Sequence, residues 1–199
     1  MFISSIKIIS TNVSNETYTH AALLQLFDGN RLTNDVLYQT LDVRVVDEVI
    51  VSHLLVYSKT APKLPETVPE HFISTPIIED CKEVEPVFKK GEVFRFSVIL
   101  NPTKRDSETR KQIFLSNPEE REAWVERKFR DAGAKIGNYL EKGKKNIHFG
   151  HDYGTGTVVG IHYQGLLMVE DPETFQKSYQ EGIGRGKAYG CGLIALNRV

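Results

Sequence analysis

Gly182-Ile183-Gly184-Arg185-Gly186-Lys187-Ala188-Tyr189-Gly190-Cys191-Gly192 packs five glycines and two cations into eleven residues near the end of the chain. Glycine lets backbone N–H groups come close to an anion and adopt positive φ, and guanidinium and ammonium groups neutralise its charge. The stretch is therefore expected to hold a phosphate, with Gly184, Arg185, Gly186, Lys187, Gly190 and Gly192 as its contacts. A glycine turn that merely lets a last strand pack closely is the alternative. Two nucleotide motifs fail here. Lys187 stands where a dinucleotide fingerprint needs its third glycine, and the loop leaves a helix and enters a strand, the reverse of that motif. A Walker A loop needs Ser or Thr after Gly186-Lys187, where this chain has Ala188, and a glycine at Glu181.

Six histidines are candidates for proton transfer, and His20 is the one placed early on an amphipathic helical stretch. An imidazole with an ordinary pKa of about 6.5 exchanges a proton near neutral pH, although a lone helical histidine is more often a surface or core-edge residue. His148, His151 and Asp152 lie across a hairpin with no helical i, i+4 pair and no cysteine partner, so they are expected to form a polar turn and no metal site. Lys104, Arg105, Arg110 and Lys111 make a basic segment suited to a polyanion, diluted by Asp106 and Glu108, which suit a solvated loop. Cys81 and Cys191 are too few and too far apart for a disulfide framework or a zinc site, and a reducing cytoplasmic home is expected.

The elements that must hold these groups follow from hydrophobic patterning. Residues 2–9 alternate as a strand; Ser14 or Asn15 caps a helix that carries His20, Ala22, Leu23 and Leu26 and stops near Gly29. Strands are expected at 36–41 and 49–57, followed by a proline-punctuated stretch through Pro76 with at most a short helix. In the second half the pattern predicts a strand at 93–100, a polar basic segment to Lys111, and a helix opened by Asn117-Pro118-Glu119-Glu120. A weakly helical patch from Ala132 to Lys145 comes next, then strands at 146–149 and 155–168, a helix capped by Asp171-Pro172, and a strand at 193–196. This order is βαββαβ, and the first half is compatible with a second copy. The expected fold is α+β, tandem ferredoxin-like (RRM-like) domains over 1–88 and 89–199.

Composition is that of a packed globular chain: 40% hydrophobic and 26% charged, with a formal net charge of −1. Residues 1–100 carry nine Lys and Arg against thirteen Asp and Glu; residues 101–199 carry sixteen against thirteen, so a polyanion is expected to meet the second half. No apolar run approaches the roughly 18 residues of a membrane span, and no membrane partner is expected.

The segment from Glu181 to Leu193 strongly resembles the C-terminal signature of the CasE family, the repeat-RNA endoribonucleases of type I-E CRISPR systems. The opening strand with its His20 helix, Leu100-Asn101-Pro102-Thr103-Lys104, Ala123-Trp124-Val125-Glu126-Arg127-Lys128 and Tyr163-Gln164-Gly165-Leu166-Leu167 resemble the same family in the same order. The resemblance implies a subunit that cuts precursor CRISPR RNA beside a repeat stem-loop, without metal or cofactor, and stays bound within the Cascade complex. It implies 2′-OH attack giving a 2′,3′-cyclic phosphate, with His20 as the catalytic histidine. The family often has a tyrosine one helical turn earlier, where this chain has Thr17; Tyr18 is the neighbouring phenol and the other catalytic candidate. A non-cleaving RNA-binding subunit of the same fold is the alternative.

Overall fold

A computed structural model describes residues 1–11, 16–27, 36–65, 74–151 and 154–199. It divides into two units. The first comprises Met1–Pro86, Ile147–Thr157 and Ala188–Gly190; the second comprises Val87–Asn146, Val158–Lys187 and Cys191–Val199.

In the first unit β1 (Phe2–Ser10) buries Ser4, Ile6 and Ile8 on one face, as its period-two pattern requires. It lies centrally, antiparallel to β3 (Val49–Ser58) and to β4 (Ser74–Glu83), while β2 (Leu37–Val46) pairs only with β3, giving the order β2-β3-β1-β4. Asp47 and Glu48 both take positive φ, 48° and 65°, the geometry of a two-residue turn whose twist matches its strands. Helix α1 (Glu16–Gln25) covers one face. Its Ala22 and Leu23, with Leu26 and Phe27 beyond its end, meet Ile6, Ile8, Tyr38, Leu54 and Val56 in one buried cluster. Each large apolar side chain so buried contributes about 1.5–3 kcal/mol.

The second unit runs β5 (Val93–Leu100), the small hairpin β6 (Thr103–Arg105) and β7 (Gln112–Phe114), α2 (Pro118–Asp131), β8 (Ala134–His151), β9 (Gly154–Val169), α3 (Pro172–Glu181) and β10 (Ile194–Arg198). Its four-stranded sheet has the order β10-β5-β9-β8, so the first and third strands of the βαββαβ unit are central. The first unit repeats this arrangement, with β1 and β3 central. The fold is the α+β tandem ferredoxin-like one that the element order predicts.

Four expectations about elements need correction. Residues 134–145 are the first part of β8, not a helical patch, because β9 offers a partner: at Gly165 the strands approach so closely that a Cβ would stand 2.5 Å from the Asn138 carbonyl. The proline stretch ends in a strand, β4, where Pro76 opposite Ile8 is tolerated because β4 is an edge. The strand expected at 36–41 runs on to Val46 as a ribbon with β3. The polar basic segment after β5 is the first strand and turn of a hairpin, β6 and β7, which the sequence pattern does not predict. Caps at Ser14 or Asn15, the helix end near Gly29, and any helix in 66–73 lie outside the described residues. The first unit also takes in 147–157 and 188–190 from the second half of the sequence, which a single division between residues 88 and 89 does not express.

Candidate functional site

His20 sits in the middle of α1, half-buried, with its ring stacked on Tyr38 of β2 at 6.3 Å between centroids and 25° between planes. Tyr38 is fully buried, and its hydroxyl donates to the Ala188 carbonyl at 3.1 Å. Gly190 packs close to the same ring: a Cβ there would stand 3.1 Å from Tyr38 Cε2. Tyr189, between them, stacks on Phe149 of β8 at 4.6 Å, and a Cβ at Gly156 would strike that phenylalanine. The first unit thus gathers His20, Tyr38 and the tip of the glycine-rich loop. Tyr18, two residues before His20, is about 200° away around the helix and 40% exposed, so it does not share the histidine's surroundings.

The rest of the glycine-rich loop belongs to the second unit, and backbone geometry shapes the loop throughout. Gly182, Gly184, Gly186, Gly190 and Gly192 all take φ between 72° and 90°. Ile183 N–H donates to the Gly192 carbonyl and Gly192 N–H donates to the Ile99 carbonyl, which closes the loop on itself and ties it to β5. Lys187 turns back to donate to the Glu181 carbonyl at 2.5 Å, supplying a cation to the C-terminus of α3. Arg185 is exposed. Of the two expected phosphate-neutralising side chains, Lys187 thus has work within the loop and Arg185 points to solvent.

The basic hairpin is also partly self-engaged. Lys104 pairs with Glu120 of α2 at 2.9 Å, and Arg105 Nε donates to the Arg110 carbonyl at 3.2 Å, across a turn in which Arg110 has φ of 59°. Asp106 accepts from the Thr109 hydroxyl and N–H, and those bonds hold its carboxyl below the usual range. Arg110 and Lys111 remain exposed. Behind the hairpin, Arg121 grips Glu141 of β8 through Nε and Nη2 at 2.9 and 3.0 Å and donates through Nη1 to the Leu115 and Ser116 carbonyls. The Arg121 guanidinium and the Tyr163 hydroxyl hold the Glu141 carboxyl below its ordinary value. The basic residues therefore stand on a braced base.

A family model described as CRISPR associated protein matches residues 1–198. The chain belongs to that family. This CRISPR-associated chain is 31% identical over 129 residues to the CRISPR-associated endoribonuclease Cse3 of Thermus thermophilus, covering 58% of this chain and 60% of the relative. It is 26% identical over 126 residues to the CRISPR system Cascade subunit CasE of Escherichia coli, covering 58% and 63%. Both alignments span less than two thirds of the relative's length. Its fold is similar to that of Escherichia coli Cas6e, with a TM-score of 0.79 and 23% identity over all of both chains. It is also similar to Thermus thermophilus Cse3 bound to an RNA representing a pre-cleavage complex, at a TM-score of 0.76 and 22% identity over 99% of this chain and 100% of that one.

Tyr38, Phe149 and Tyr189 pack around His20 and the loop tip, and sequence reasoning assigns none of them a role. Tyr38 lies in a run of three buried strand residues, Leu37 to Gln39, and the stack of Phe149 on Tyr189 joins residues forty apart, so no local pattern marks them. The described part of the chain contains no helix long and apolar enough to cross a membrane.

Proposed function

We propose that this chain is an endoribonuclease that cleaves precursor CRISPR RNA beside the repeat stem-loop and keeps hold of its product. The observation that carries the proposal is His20, presented from α1 in the same unit as the tip of the glycine-rich loop, in a chain 31% identical over 129 residues to a relative named as a CRISPR endoribonuclease. In this reaction the ribose 2′-oxygen bonds to the adjacent phosphorus while the P–O5′ bond breaks, giving a 2′,3′-cyclic phosphate and a 5′-hydroxyl. The 2′-OH proton passes to a base and the leaving O5′ takes up a proton, exchanges a single imidazole can serve near neutral pH. Phosphate charge building on the pentavalent species is offset by nearby cations and N–H donors. None of these steps calls for a metal or an organic cofactor.

An A-form stem is read by shape, phosphates and 2′-OH groups. The exposed Arg110, Lys111 and Arg185, with Arg105, are suited to its backbone, and the glycine N–H groups to a phosphate drawn close. Lys104 and Lys187 must give up Glu120 and the Glu181 carbonyl to take part. Other Cascade subunits are the proposed protein partners, and the cytoplasm the proposed site of action.

The test is incubation with a cognate repeat stem-loop in excess EDTA. The expected result is one cut with a cyclic-phosphate end, blocked by a 2′-deoxy nucleotide at the cut site. His20→Ala is expected to bind with unchanged affinity and to lose about 10²-fold or more in cleavage, the scale of a general acid or base; cutting at the normal rate would remove His20 from the chemistry. Thr17 in place of the family's tyrosine favours a second reading, a non-cleaving RNA-binding subunit. Tight binding by the wild type with no cut would establish it. Arg185→Glu is expected to weaken RNA binding and to flatten the salt dependence by about one in log–log slope; equal affinity at low salt would take Arg185 out of the interface.

A further inference from the structure

Tyr38 links two parts of the site that the sequence places about 170 residues apart. Its ring lies beside the His20 imidazole at 6.3 Å and 25°, within the range of offset aromatic pairs. Its hydroxyl is bonded to the Ala188 carbonyl at 3.1 Å. Its ring edge bears on Gly190, where φ is 76° and any side chain would press against it. The residue has no solvent exposure, so a substrate cannot reach it and it can act only through its neighbours. Those neighbours are the candidate proton-transfer group and the backbone of the loop tip.

The surroundings make Tyr38 stiff. It sits in β2 between Leu37 and Gln39, both buried, and within the cluster formed by Leu23, Leu26, Phe27, Leu54 and Val56. A ring so packed holds one rotamer, and a group resting on it inherits that constraint. Tyr18 offers no such support, since it leaves the helix on another side. Backbone atoms of Ala188 are fixed by the hydroxyl, whichever side chains the loop carries.

Resting on the assignment of His20 above, we propose that Tyr38 is the positioning residue of this site: its ring orients the His20 imidazole and its hydroxyl pins the tip of the glycine-rich loop. The two roles separate chemically. Tyr38→Phe keeps the ring and removes the tether; Tyr38→Leu removes both while leaving an apolar side chain in the core.

The experiment measures single-turnover cleavage at saturating repeat RNA, RNA affinity, and thermal unfolding, all on the full chain. Tyr38→Leu is expected to cleave about 10- to 100-fold more slowly once RNA is bound, the effect of a small misplacement of a reacting group, with the loss in rate exceeding any loss in affinity. Tyr38→Phe is expected to restore the bound-state rate to within about threefold of wild type, well inside the span that misplacement covers, and to bind RNA several-fold more weakly. A folded Tyr38→Leu that cleaves bound RNA at the wild-type rate overturns the orienting role. Wild-type affinity for Tyr38→Phe overturns the tether. Should Tyr38→Leu fail to fold, Tyr38→Met takes its place with the same expected loss and the same overturning result. If wild type cuts and His20→Ala does not, yet Tyr38→Leu cuts normally, the positioning role alone has failed; if His20→Ala also cuts, the assignment of His20 has failed with it.

Discussion

At Gly192 a φ of 90° and an Ile183 carbonyl 2.5 Å from any added Cβ leave glycine as the one residue that fits without backbone movement. Gly91 has nearly the same φ, 85°, but open space around it. The pair separates conformational strain from collision. Gly91→Ala is expected to cost about 1–2 kcal/mol, the left-handed penalty alone, and Gly192→Ala about 3 kcal/mol or more, as the Ile183 backbone must also shift. Urea denaturation of both variants checks this, and equal losses would mean that the loop yields freely at Gly192. The sequence shows that these glycines are unusual but not which are steric. Residue type reports freedom of φ, whereas the nearest atom at Gly192 lies nine residues away in the chain.

Among the elements, α2 opens on a cap that the sequence displays in full. Asn117 accepts from the Glu119 and Glu120 N–H groups at 2.8 and 3.4 Å, Pro118 takes the first helical position, and two glutamates meet the positive end of the helix. Asn117→Ala is expected to lose about 1 kcal/mol in chemical denaturation. Two ion pairs on the same helix should differ. Lys104 and Glu120 are both about half exposed, and Lys104→Ala is expected to cost well under 1 kcal/mol. Arg121 is 12% exposed and satisfies Glu141 together with two carbonyls, so Arg121→Leu is expected to cost about 2–3 kcal/mol. A larger loss from Lys104→Ala than from Arg121→Leu would refute the bracing role. Capping is legible because it is written within four consecutive residues. The run from Ala134 to Lys145 is strand and not helix because its own side chains favour nothing strongly, and pairing with β9 decides.

For the whole molecule, stability should fall away on both sides of neutrality for reasons carried by the second unit. Glu141 is held below its ordinary carboxylate value, first by its bond from Arg121, so the folded chain takes up its proton later than the unfolded chain does. Its contribution is present above about pH 4.5, the ordinary range for glutamate, and is lost as pH falls through the depressed value. Tyr139 is pushed up to about 12, chiefly by burial and then by the charges of Glu122, Glu126 and Glu141, and Tyr163 is also raised, chiefly by burial. Their contribution is present below the ordinary phenol value of about 10 and is lost as pH climbs from there towards 12. Denaturation midpoints between pH 3 and 11 should show a plateau bounded by these two limbs, and Tyr139→Phe should flatten the alkaline one; an unchanged alkaline limb would exclude Tyr139 as its source. The sequence by itself determined the βαββαβ order, the capped helices, the positive-φ loop and the family resemblance, because strand alternation, caps and glycine spacing act over a few residues. Only the tertiary structure decided that residues 188–190 join the first unit, that Lys187 serves the end of α3, and that Tyr38 stands between His20 and the glycine-rich loop. Those facts depend on contacts between residues far apart in the chain, which packing fixes and no local pattern encodes.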